Sequence, residues 1–89
     1  MDLNSIYQAE VLEKISRHCP QAMSPYLQCF YKVDSEGNAY FSREDIEVRM
    51  SYDYPDFLHA IKQLAREDLL KWSPLDGGIA IQLDMEPFI

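Results

Sequence analysis

Apolar residues recur at a helical period in the first part of this chain, break into short runs in the middle, and alternate near the end. Ile6, Val11, Leu12 and Ile15 lie near helical spacing, which predicts a helix from Asn4 to His18. Asn4 or Ser5 caps its start, Lys14 and Arg17 suit the dipole in its last turns, and Pro20 stops it. Ser24-Pro25 opens a second helix, with Ser24 as N-cap and Pro25 at the first helical position. Its apolar face is read as Leu27, Phe30 and Tyr31, with Cys29 beside them. Val33 ends it, because Asp34-Ser35-Glu36-Gly37-Asn38 is a turn cluster.

Ala39-Tyr40-Phe41 is long enough only for a short strand. Ser42 with Asp45 resembles a capping box, and a short helix follows with Ile46, Val48 and Met50 as its apolar positions. Ser51-Tyr52-Asp53-Tyr54 reads as a turn. Pro55 then opens a helix to about Glu67, in which Phe57, Ala60, Ile61, Leu64 and Ala65 make a continuous stripe. Leu69, Leu70 and Trp72 begin a strand, Pro74 to Gly78 turn it, and Ile79, Ile81 and Leu83 alternate with Ala80 and Gln82 on the way back. Asp84 to Ile89 reads as a tail whose Phe88 can dock. The elements predict a mainly α chain with a small β-hairpin, an α+β fold. The expected organisation is one domain over residues 1–89: an added helix at 4–18, a core at 24–83 and the tail.

Composition narrows the functions this fold can serve. At 89 residues with 47% hydrophobic positions, the chain can fill one core and has no material for a second. Its 8 basic against 15 acidic residues give a net charge of −7, which disfavours binding to polyanions or anionic membranes through bulk charge. No apolar run approaches the ~20 residues of a membrane span. The start, MDLNSIYQAE, lacks the basic and apolar regions of a signal peptide. These features predict a cytoplasmic protein with no membrane partner. Cys19 and Cys29 are too few for a disulfide scaffold and read as free, buried thiols, with a disulfide or a metal pair as the alternatives.

The segments SPYLQCFYKVDSEGNAYFSREDIEVRM, SYDYPDFLHAIKQLAREDLL and KWSPLDGGIAIQL, running from Ser24 to Leu83, resemble a bacterial winged helix-turn-helix domain. The likeness is to plasmid and phage replication proteins and to MarR-type regulators. It covers about two-thirds of the chain and leaves the first helix as an addition, which in related folds packs on the domain or builds a homodimer. It implies that the helix from Pro55 is the recognition helix and that the last two strands form the wing. DNA-reading positions of the family fall on Asp53, Tyr54, Pro55, Asp56, Leu58, His59 and Lys62, at the helix end that enters the major groove. Two of these are acids, and the wing tip carries Asp76. His59, Lys62, Arg66 and Lys71 are left as the candidate DNA contacts. Winged helices also dock proteins, and Tyr52, Tyr54, Leu58 and His59 suit such a surface, because aromatics with a polar handle are enriched at interfaces.

DSEGNAYFSRED, from Asp34 to Asp45, resembles an EF-hand loop. Asp34, Glu36, Asn38 and Ser42 fall at oxygen-ligand spacing, the Tyr40 carbonyl supplies another ligand, and Asp45 closes the loop. Calcium requires six to eight such oxygens from a wrapped loop. The likeness departs from the pattern at Ala39, where the sharp turn needs glycine, and at Asp45, where a bidentate Glu is usual.

Signals for catalysis are sparse. His18 adjoins Cys19, but no third residue orients the pair, and Gly77-Gly78 has no helix after it to cradle a phosphate. The expected function is therefore a non-enzymatic regulator or adaptor that binds a protein and needs no cofactor. The alternatives are a dimeric DNA-binding regulator, an acidic inhibitor of phage type that mimics nucleic acid, and a calcium-binding protein.

Overall fold

The computed structural model describes the backbone of residues 3–83 and the side chains of residues 9–83. Helix α1 (Leu3–His18) leads through a 3₁₀ turn (Pro20–Ala22) into α2 (Met23–Lys32). Strand β1 (Asn38–Ser42) follows, then a single π-helical turn (Asp45–Arg49), α3 (Tyr54–Arg66), and the hairpin of β2 (Leu70–Leu75) and β3 (Gly78–Leu83). The α+β class is as expected, but the sheet has three strands rather than two. Strand β3 lies between β1 and β2, antiparallel to both, so the segment Asn38–Ser42 closes onto the hairpin.

One layer of side chains joins these parts. Phe57, Ala60, Ile61 and Leu64 turn the same face of α3 inward. They meet Ile15 from α1, Tyr26 and Cys29 from α2, Phe41, Ile79, Ile81 and Leu83 from the sheet, and Ile46 from the π turn. Phe41 and Phe57 stack with ring centroids 5.6 Å apart. Gly78 is buried because β1 runs close by: a Cβ there would lie 2.2 Å from the Phe41 carbonyl oxygen.

Several local expectations change. Helix α1 already includes Asn4 and Ser5, while the Ile6 side chain and the tail with Phe88 lie outside what is described. Ser24 is not an N-cap. Helix α2 begins two residues earlier, at Met23, straight out of the 3₁₀ turn, and Pro25 sits in its first turn where no N–H is needed. Its buried face is rotated from the expected one: Tyr26 and Cys29 are buried, with Met23, Phe30 and Val33 packed beside them, while Tyr31 is 78% exposed. The spacing 23, 26, 29/30, 33 makes a longer stripe than Leu27, Phe30 and Tyr31, and the longer stripe takes the core. Val48 is 66% exposed, because Ile46 and Met50 lie one turn apart and put the residue between them on the opposite side.

Cys19 and Cys29 are free and buried, and burial pushes the Cys29 thiol up to about 12. Helix α3 ends in a Schellman arrangement. Leu69 N–H reaches the Leu64 carbonyl and Asp68 N–H the Ala65 carbonyl, with Asp68 itself at φ +59°. Among the described residues, no helix is long and apolar enough to cross a membrane.

Candidate functional site

Pro55, His59, Lys62 and Arg66 are all exposed and spaced at i, i+4, i+7 and i+11 along α3. That spacing puts them on one stripe, opposite Phe57, Ala60, Ile61 and Leu64. The helix start is set by Asp53, whose side chain accepts from Asp56 N–H at 3.2 Å as an N-cap. Asp56 in the first turn and Arg66 in the last both suit the helix dipole. The outer face is therefore bipolar: acidic at its N-terminal end, basic from Lys62 onward.

Five of the chain's other cations are paired with carboxylates. Lys14 pairs with Glu67, Arg17 with Glu13, Arg43 with Glu47, and both Lys32 and Arg49 with Asp45. Among the described residues, Lys62, Arg66 and Lys71 have no carboxylate partner. Lys62 instead holds its ammonium 5.7 Å from the centroid of the half-buried Trp72 ring. Trp72 reaches this surface because β2 packs along α3, a contact between separate elements that strand alternation alone did not reveal.

The candidate DNA contacts are only partly gathered. His59, Lys62 and Arg66 share the α3 stripe. Lys71 does not: it alternates with the core-facing Leu70 and Trp72 and pairs in register with Gln82, so it lies on the outer face of the sheet.

The candidate protein-binding residues also part company. Tyr52 stacks on Phe57 at 5.5 Å and its hydroxyl donates to Ser24 Oγ on α2. Tyr54 lies under the Arg43 guanidinium, 5.2 Å from the ring centroid. Both tyrosines and Leu58 are half-buried and packed on the core, so they border the surface, whereas His59 stands free on it.

The segment Asp34–Asp45 does not wrap. Asn38 to Ser42 is extended, and four steps of about 3.3 Å separate the ends of that strand by roughly 13 Å. Asp34 and Glu36 therefore lie before one end of β1 and Asp45 beyond the other, and the Tyr40 carbonyl belongs to the strand between them. Asp34 Oδ1 instead accepts from Glu36 N–H and Asn38 N–H at 2.9 and 3.0 Å. Asp45 closes the expected capping box, accepting from Ser42 N–H at 3.1 Å while Ser42 Oγ accepts from Asp45 N–H at 3.0 Å. These bonds to Ser42, then Arg49 and Lys32, hold the Asp45 carboxyl well below the usual carboxylate range. The spacing that suggested calcium serves a turn and a helix start. Among the described residues, no three His, Cys, Asp or Glu side chains converge as metal ligands.

The His18–Cys19 pair is likewise engaged elsewhere. His18 Nδ1 lies 3.1 Å from Glu67 Oε2, and the Cys19 thiol is raised by burial and then by Glu67, which disfavours the reactive thiolate. No family model, no curated protein and no solved structure matches this chain.

Proposed function

We propose that the protein is a non-enzymatic, cytoplasmic docking module of the winged-helix kind, a small regulator or adaptor whose contact surface is the outer face of α3. The scaffold reading draws support from the order α2, β1, helical turn, α3, β2, β3 and from a sheet in which the last strand lies between the other two. The observation that carries the function is the distribution of cations. In a chain of net charge −7, Lys62 and Arg66 have no ion-pair partner among the described residues, on the stripe that faces away from the core. A half-buried Trp72 under the Lys62 ammonium has the composition of an interface anchor. The partner surface is a protein one, because Asp53 and Asp56 occupy the helix end that would have to enter a DNA groove.

The test reverses the surface without touching the core. Partners captured by the wild type are compared with those captured by the Lys62→Glu/Arg66→Glu variant and by Lys71→Glu, which alters the outer sheet face. A partner lost only in the double variant supports the assignment. Equal capture by all three chains removes it.

The stripe of His59, Lys62 and Arg66 also favours a second reading, a dimeric DNA-binding regulator. That reading predicts a gel shift with duplex DNA at about 50 mM salt, where phosphate contacts are strongest, weakening steeply as salt rises. No shift under those conditions excludes it.

A further inference from the structure

We infer that Asp34 and Asp45 are guards on the open edge of the sheet, and that without them β1 would pair with the β1 strand of a second copy. This goes beyond the α3 surface and does not depend on it. Gly37 carbonyl accepts from Leu83 N–H, and Arg43 N–H donates to Gly77 carbonyl, both at 2.8 Å. Those two contacts fix the phase of the antiparallel ladder: Ala39 and Phe41 face β3, while the backbone groups of Asn38, Tyr40 and Ser42 point to the open edge.

The outward groups are then occupied from both ends. Asn38 N–H donates to Asp34 Oδ1 at 3.0 Å, and Asn38 carbonyl accepts from Asp34 N–H at 2.9 Å. Ser42 N–H donates to Asp45 Oδ2 at 3.1 Å. Tyr40, between them, is left with its N–H and carbonyl facing the open edge. A twofold strand pair centred on Tyr40 would set Asn38 against Ser42 of the other copy, and it needs the groups the two carboxylates already hold. With them held, little beyond the Tyr40 bonds remains, too little to hold two chains together. The need for a guard follows from the sequence of β1, Asn-Ala-Tyr-Phe-Ser, in which Tyr40 and Phe41 favour strands. Tyr40 is also 43% exposed. Exposed edges of this kind are templates for self-pairing, and proteins block them with charge or proline. The opposite edge strand, β2, carries Pro74, which has no N–H to offer.

Hydrogen exchange of the wild-type chain reads the guards directly. The Asn38 and Ser42 amides should exchange about fivefold to tenfold more slowly than that of Tyr40, as expected when only the first two are hydrogen-bonded. Equal rates overturn the inference. The second arm is sedimentation of Asp34→Ala/Asp45→Ala. It should form dimers and larger species, and adding Tyr40→Pro, which removes the central outward donor, should return it to monomer. A folded double variant that stays monomeric, or association indifferent to Tyr40→Pro, overturns it. Should the double variant not fold, the exchange rates decide.

Discussion

The two faces of α3 come from the same 13 residues and stand in opposite relation to the rest of the chain. Inward, Phe57, Ala60, Ile61 and Leu64 are each at most 4% exposed and touch helices and sheet alike. Outward, Pro55, His59, Lys62 and Arg66 answer to no carboxylate of the described chain. Burial explains every inner residue. Nothing in the fold calls for Lys62 and Arg66 beyond solubility, the helix dipole and one contact with Trp72. A face that the fold does not need is free to be shaped by something outside it, and that is the physical basis for placing the contact surface there.

The sharpest way to break the contrast is to truncate one side chain on each face. Phe57→Ala removes a fully buried ring that stacks on both Phe41 and Tyr52, and should cost about 3–5 kcal/mol. For a domain of this size that approaches the whole stability. Arg66→Ala should stay within about 0.5 kcal/mol, as exposed substitutions do. Urea denaturation followed through Trp72 fluorescence measures both. Comparable losses would mean that the outer face is structural and that the docking proposal has no special support.

Asp53 tests whether the acidic end of the outer face belongs to the fold or to a partner. Its carboxylate caps α3 through Asp56 N–H, so Asp53→Ala should cost about 1 kcal/mol, and Asp53→Ser, which keeps a cap, clearly less. Equal losses in the two variants would deny the cap.

How much of this was legible follows the same division. The α3 stripe, the Ser42–Asp45 box and the returning strand could be read because each is specified within a few residues of sequence. The buried face of α2 was misread because two overlapping stripes were both available, and the choice between them belongs to α3 and the sheet. The three-stranded sheet was missed because β1 and β3 lie some forty residues apart in sequence, and no local pattern states their register. For the same reason Lys71 was grouped with Lys62, although strand alternation sends it to the other side of the sheet. The calcium likeness failed because the ligand spacing is a property of sequence, whereas a wrapped loop requires that Asn38–Ser42 not pair with β3.

Acid tests the Ser42–Asp45 box directly. The Asp45 carboxyl titrates below its ordinary value of 3.8 because Ser42, Arg49 and Lys32 favour its ionised form. Its stabilising contribution is thus complete at pH values above about 4 and is lost as pH falls through its lowered folded value. Asp45→Asn should be less stable than wild type at neutral pH, and the gap should close progressively below about pH 4. Thermal melts across that range check the sign. A gap that stays constant into acid would mean that the carboxylate charge is not what stabilises the box.

The smallest effect expected is a gain, at the far end of α3. Asp68 occupies the left-handed position of the Schellman arrangement at φ +59°, a conformation in which glycine carries no Cβ penalty. It also places a negative charge at the helix C-terminus, where the dipole disfavours it. Asp68→Gly relieves both, against the greater entropy that glycine loses on folding, and should raise stability by about 0.5 kcal/mol. Asp68→Asn separates the two causes, because it removes the charge and keeps a side chain. If Asn recovers the whole gain, the dipole accounts for it. If only Gly does, the backbone conformation is the cause. If neither variant is more stable than wild type, Asp68 is fully accommodated where it stands, and α3 is closed as tightly at its C-terminal end as Asp53 closes it at the other.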